Sequence, residues 1–271
     1  MEGVPKELGE KKGLVDTHCH LNMRPLVKNV EEVIARAKES GVIKVIVVGI
    51  NPKTNRKAIE LHNKFPDFVS FSVGFHPHEI KNIKEERYKE LEEQLPSACA
   101  MGEIGLDWVK EHTPKKQQLE HFERLLDLAK KYQKPVILHF RGDENFWKEG
   151  INFLKGWQGL KLVFHCFTGG KEELRQILEK LDGFVSFSGI ITFKNAEKIR
   201  EALKFCPWDR FFLETDAPFL APEPFRGKTN EPAYVIYTAQ KASEVKKISL
   251  KELIAITTQN AIKFFGLKLS A

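Results

Sequence analysis

The sequence predicts an α/β fold, a (β/α)8 TIM barrel. Short runs rich in β-branched and aromatic residues alternate with stretches of helical period. The alternation occurs eight times, and 271 residues is the size of one such barrel. The strand-like runs are apolar on both faces, as a parallel sheet covered by helices requires. Strict βα order leaves an open doubly wound sheet as the other architecture, and eight units in this length favour the barrel.

Leu14–Leu21 reads as the first strand, and the helix over Val30–Glu39 stops near Gly41. Lys44–Ile50 and Pro52–Lys64 form the second unit, Phe68–His76 and Glu85–Leu95 the third. Cys99–Asp107 is the fourth strand. Pro114 precedes its long helix, Lys115–Gln133, where proline's fixed φ suits a helix start. Pro135–Phe140 leads to Glu144–Gly156, and Lys161–Phe167 to a helix over Lys171–Leu181 that Thr168 is placed to cap. Gly183–Ile191 with Asn195–Phe205 and the strand Arg210–Thr215 close the series. A loop over 217–232 and two helical stretches, Ala233–Val245 and Ser249–Phe265, follow. Residues 1–12 read as a polar tail and 13–271 as one barrel domain, with no internal repeat or linker to divide it.

An apolar fraction of 42% sustains a sizeable core. The net charge of +6, with a pI near 9.0, favours polyanionic partners by raising their local concentration. Cys19, Cys99, Cys166 and Cys206 form no CxxC pair. Three of them fall in strand-like apolar runs, which points to reduced, buried thiols and away from a disulfide scaffold. Residues 1–12 hold no apolar signal region, and the longest apolar run, Val45–Ile50, is too short to span a bilayer. The expectation is a cytoplasmic protein without membrane contact, monomeric by default.

In such a barrel the working groups come from the C-terminal ends of strands. His18 and His20 stand at i and i+2 on one strand and so face one point. Imidazole pairs suit Zn, Mn and related ions, although two buried, hydrogen-bonded histidines fit the spacing equally well. His139 and His165 each close an apolar strand. Four imidazoles converging on one mouth are costly to desolvate, and a cation gives them a purpose. Glu103, at the end of the fourth strand, can give one carboxylate oxygen to each of two cations. Asp216, before Ala217-Pro218, can hold a cation and accept a proton from acidified water; a turn or capping aspartate is the plainer reading. Glu214 points the same way as Asp216 and can support a ligand. His76, Arg141, Arg226 and Lys228 supply donors for a phosphate near the mouth, and for Arg141 a structural ion pair fits as well. Asp107 and His78 read as structural.

These residues are those by which the chain resembles the TatD family of metal-dependent deoxyribonucleases, within the amidohydrolase-like barrels. The matching stretches are DTHCHL (16–21), GFHPH (74–78), GEIGLD (102–107), PVILHFR (135–141), HCFTGG (165–170), SGIITFKNA (188–196), ETDAPFL (214–220) and RGKTNEPAYV (226–235). They run in order over almost the whole chain after the tail. The resemblance implies a barrel of the metal-dependent hydrolase type with two divalent ions (Mg, Mn or Zn). His18 and His20 would bind one ion and His139 and His165 the other. Glu103 would bridge, Asp216 would be ligand and general base, and His76 would lie close to the scissile phosphate. It further implies a 3′–5′ exonuclease on single-stranded DNA, with RNA also open. Two departures concern the substrate. Lys115 stands where the family usually has Arg, and Trp108 where a smaller aromatic is usual; Trp108 offers a surface for a base.

The expected reaction is two-metal hydrolysis, with Asp216 taking the water's proton and His76 or Arg141 assisting the departing oxygen. A hydrolase of C–N or acyl bonds, such as an aminoacyl-tRNA deacylase, would use the same ligands. A non-catalytic, metal-stabilised nucleic-acid-binding protein would bind DNA without turnover.

Overall fold

The computed structural model describes residues 13–110 and 112–269. Eight parallel strands lie side by side in chain order: β1 (Leu14–Cys19), β2 (Val42–Val48), β3 (Val69–Val73), β4 (Ala100–Asp107), β5 (Val136–Arg141), β6 (Leu162–Phe164), β7 (Phe184–Phe187) and β8 (Phe211–Leu213). The helices that cover them are α1 (Val30–Glu39), α2 (Pro52–Lys64), α3 (Glu85–Gln94), α4 (Lys115–Lys131), α5 (Glu144–Leu154), α6 (Lys171–Leu181), α7 (Glu197–Phe205), α8 (Val235–Lys246) and α9 (Leu250–Phe265). The sheet curls into a nearly closed TIM barrel, as the alternation predicts. Its seam joins β1 to the segment after β8 through a parallel bridge between Cys19 and Ala217. His20 N–H donates to the Ala217 carbonyl at 2.7 Å, and Asp216 N–H to that of His18 at 2.9 Å.

Two apolar cores hold this shell. The larger lies between strands and helices, with Phe71, Phe122, Phe146, Phe164 and Phe187 fully buried. The smaller fills the barrel's lower interior with Val15, Ile46, Val48, Ala100, Ile137, Val163 and Phe212. The end of α9 plugs it from below: the Phe264 ring stands 4.7 Å from Phe184 and 5.1 Å from Phe212. Upper and lower ends are thus divided in labour, with apolar side chains closing one and polar groups gathered at the other.

Some boundaries differ from the sequence expectation. Strands β6, β7 and β8 are shorter than predicted, and Gly189–Thr192 forms a 3-10 turn instead of prolonging β7. The apolar character continues there because Ile191 is still buried, while Ser188 Oγ draws the Ile190 N–H into the turn. Thr168 does not cap α6; the Glu173 carboxylate accepts the Gly170 N–H at that helix start. Cys99 and Cys166 flank β4 and β6 instead of lying within them, and Cys206 follows α7; all four thiols are free. The tail predicted over residues 1–12 lies outside the described residues. No helix among the described residues is long and apolar enough to cross a membrane.

Candidate metal centre

The seam of the barrel sets His18 and His20, from the first strand, against Asp216, just past the last. His18 Nε2 and His20 Nε2 lie 3.3 Å apart. Glu103 Oε2, from β4, stands 3.5 Å from the first and 3.8 Å from the second. Asp216 Oδ1 stands 3.7 Å and 3.4 Å from the same two atoms. Four donors arranged tetrahedrally around an ion with bonds of about 2.1 Å would be about 3.4 Å apart. The separations of 3.3 to 3.7 Å among His18, His20 and Asp216 match that spacing, and these three form a candidate cation site that Glu103 Oε2 flanks. The His20 Nδ1 atom lies 3.1 Å from the Val48 carbonyl oxygen, so it carries a proton, and Nε2 is the nitrogen left to bind a cation.

The second oxygen of Glu103 faces another set. Oε1 lies 2.9 Å from His139 Nδ1, 2.9 Å from His165 Nε2 and 3.5 Å from His76 Nε2. One carboxylate thus addresses two groups of imidazoles from four different strand ends. The two glycines that permit this are close-packed: a Cβ on Gly74 would lie 2.8 Å from the Glu103 carbonyl oxygen, and one on Gly105 (φ +143°) 2.0 Å from that of His139. Carboxylates behind the histidines steady them. Asp107 Oδ2 takes His139 Nε2 at 3.1 Å, and Glu214 Oε1 lies 3.4 Å from His165 Nδ1. Asp107 is itself held by Gln118, whose amide accepts from Asp107 N–H and donates to its carbonyl, both at 2.9 Å.

Electrostatics follow from this crowding. Burial alone would raise the Glu103 carboxyl, but the surrounding imidazoles, His165 foremost, overcome it and hold the group well below its ordinary range. Burial likewise opposes protonation of His165 and His139. Glu103 reverses this for His165, and Asp107 followed by Glu103 for His139, so both imidazoles are raised. His18 is lowered, by burial and then by His165, whose ring stacks on it at 3.9 Å. Protons thus stand in the cluster where cations fit, and cation binding would release them.

His76 differs from its neighbours. Its Nδ1 accepts the His78 N–H at 3.1 Å, so its proton sits on Nε2 and points at the centre. Burial, reinforced by His139, keeps the ring well below its ordinary pKa and hence neutral. It offers a hydrogen-bond donor where a ligand would need a lone pair. Geometric proximity groups His76 with Glu103 and His139; the tautomer argues against ligation.

A cavity of about 470 Å³ opens on the cluster, lined by His20, His76, Glu103, His139, His165 and Asp216, with Arg141 at its edge. The Arg141 side chain is 48% exposed and its Nη1 lies 4.0 Å from Asp107. Arg226 and Lys228 are not among the lining residues: the first lies over the Phe193 ring at 3.7 Å, the second over Phe225 at 5.7 Å. The two departures from the family pattern meet one another, with Lys115 Nζ 4.6 Å from the Trp108 ring centre and Phe146 edge-on to the indole at 5.1 Å. Trp108 is thereby half-buried and engaged with neighbours, which leaves little free face for a base. Sequence reasoning missed Asp107 and His78: both line the cavity, and His78 Nε2 lies 3.0 Å from the same Asp107 oxygen as His139. The signal was present, since residues 103 and 107 share a strand face.

A family model described as TatD related DNase matches residues 15–266. The metal-dependent hydrolase YabD of Bacillus subtilis is 39% identical over 256 residues, spanning 93% of this chain and 98% of that protein. The crystal structure of YjjV, a TatD homolog from Escherichia coli K12, superposes with a TM-score of 0.87 at 26% identity, covering 94% of this chain and 98% of that one. A TatD family hydrolase from Entamoeba histolytica shares the fold, with a TM-score of 0.84 at 24% identity, over 93% and 98% of the two chains.

Proposed function

The chain belongs to the family of TatD-related DNases, and from that premise we propose that it is a divalent-metal-dependent 3′–5′ exonuclease of single-stranded DNA. The observation that carries the reading is the two-sided Glu103 carboxylate, with His18 and His20, which Asp216 also approaches, at one oxygen and His139 and His165 at the other. Two bound cations would supply an acidified water and neutralise charge on the phosphoryl oxygens.

The chain's own residues divide the remaining work. Asp216 lines the cavity, whereas His18 is wholly buried beneath it. Burial would raise the Asp216 carboxyl, but His20 and His18 hold it below its ordinary value, so it is an anion able to accept a proton from an attacking water. His76, neutral with its proton on Nε2, donates a hydrogen bond to a phosphoryl oxygen or to the departing 3′-oxygen. It does so as a polarising donor and not as an imidazolium, because the His78 N–H occupies its Nδ1. Arg141 adds a charge at the exposed edge. The net charge of +6 supports a polyanionic substrate, and the family's description as DNases favours the phosphodiester over an acyl or C–N bond.

The test is digestion of 5′-labelled single strands by metal-stripped protein resupplied with Mg²⁺, Mn²⁺ or Zn²⁺. The expected result is a ladder shortening from the 3′ end that Glu103→Ala abolishes while circular dichroism stays unchanged. Undiminished digestion by that variant, or wild-type turnover of amides and mischarged tRNA but not DNA, would remove the assignment.

A further inference from the structure

We propose that Phe219 is the platform on which the 3′-terminal base of a single strand stacks while its phosphate lies at the metal centre. The proposal rests on the nuclease reading above and adds to it the residue that selects an unpaired end. Phe219 is 48% exposed, one of three large apolar side chains so exposed among the described residues. One of the others, Phe205, carries the Lys171 ammonium 3.4 Å from its ring centre. Phe219 instead forms part of the cavity wall beside the metal cluster. Its ring stands 6.0 Å from that of His20 at an interplanar angle of 68°.

The backbone beneath this ring is locked. Phe219 N–H donates to the Asp216 carbonyl at 2.9 Å. The amide of Asn230, fully buried, donates to the Phe219 carbonyl at 2.6 Å and to that of Thr215 at 2.8 Å. Asn230 N–H in turn holds the Pro218 carbonyl at 3.0 Å. The aromatic face is therefore fixed relative to Asp216, three residues earlier, and a ligand meeting both does not have to order the loop first. A nucleotide has the matching pair of features, a flat apolar base and an anionic phosphate.

The size of the cavity decides between single and double strands. A volume of 470 Å³ is that of a cube about 8 Å on edge, whereas the major groove of B-DNA alone is about 12 Å wide. An unpaired end, whose base is free to leave the stack, fits such a space better than a base pair does. Met23, Ile50, Ile190 and Leu220 add apolar surface to the lining, which Glu79 and Thr168 interrupt. Stacking without reading of base edges tolerates any base.

The experiment compares kcat/KM on single-stranded dodecamers, labelled at the 5′ end, that finish in thymidine or in an abasic tetrahydrofuran residue. Wild-type protein is expected to favour the thymidine end by about tenfold or more, the usual worth of one stacked base. Phe219→Ala should bring that ratio towards one, Phe219→Leu should do the same, and Phe219→Trp should restore it. A binding readout needs no turnover: metal-free wild type should quench a 3′-terminal 2-aminopurine, and Phe219→Ala should not. If wild type digests both strands equally, or Phe219→Ala keeps the preference and the quench, the platform is refuted and the nuclease reading stands. If wild type digests neither strand with any divalent ion, the nuclease reading falls and takes the platform with it.

Discussion

The shared carboxylate makes a quantitative demand on stability. An ion that binds only the folded chain at 100 times its dissociation constant adds about 2.7 kcal/mol. Unfolding entropy of about 2.1 cal/mol/K per residue, over 271 residues, gives about 0.57 kcal/mol/K for the whole chain. Each ion should then raise Tm by about 5 °C, and two by about 10 °C. Asp216 contacts only the donors around Glu103 Oε2, whereas Glu103 contacts both sets. Asp216→Asn should therefore keep about half of the metal-induced rise, and Glu103→Gln almost none of it. The assay is scanning calorimetry of each protein after chelation and after addition of Mn²⁺ or Zn²⁺, so that every variant is compared with its own metal-free state. Equal losses in the two variants, or a half-rise surviving in Glu103→Gln, would show that the carboxylate does not serve two ions.

Three further outcomes follow from the same structure. Asp107→Asn, which weakens the acceptor behind His139 Nε2, should lower affinity for one ion by about 10–100-fold in calorimetric titration; unchanged affinity at both would make Asp107 merely structural. Phe264→Ala, at the plug below the barrel, should cost about 3–5 kcal/mol in urea unfolding, and a loss under 1 kcal/mol would mean that the lower core repacks freely. Asp16, fully buried, is pushed up to about 8 by burial in spite of its bonds from Thr215 and His18. Because the folded state holds this proton more tightly than the unfolded chain, the contribution is whole below about pH 4 and gone once pH has risen through about 8. Metal-free wild type should thus lose stability relative to Asp16→Asn between pH 5 and 8, and parallel curves would contradict that.

Much of this architecture is legible in the amino-acid sequence. Ionisable residues at strand ends marked the upper rim, and the His18–His20 spacing set two imidazoles on one side, because strand periodicity and barrel polarity are local rules. What escaped reading depended on loops and on the third dimension. Arg226 and Lys228 follow Asp216 closely in sequence, yet the intervening turn lays them over Phe193 and Phe225. Asp107 reads as structural from the sequence, and the pairing of Gly105 with His139 and of Asp107 with Arg141 across β4 and β5 shows whom it faces. Strand ends misled too: Ile191 is apolar and buried, but Ser188 bends the chain before reaching it. The tautomer of His76 rests on one backbone N–H, which no residue pattern encodes.

The seam between Cys19 and Ala217 has a consequence for how the protein is made. A chain still on the ribosome can assemble most of its strands without completing the Glu103 Oε2 donor set, because one of those donors is translated about 200 residues after the first two. A complete donor set therefore arrives late in synthesis, and a truncated product ending before residue 216 would hold histidines yet lack Asp216, the proposed proton acceptor. Cutting and rejoining the chain elsewhere, with both sides of the seam retained, should spare the centre; opening the seam itself should not.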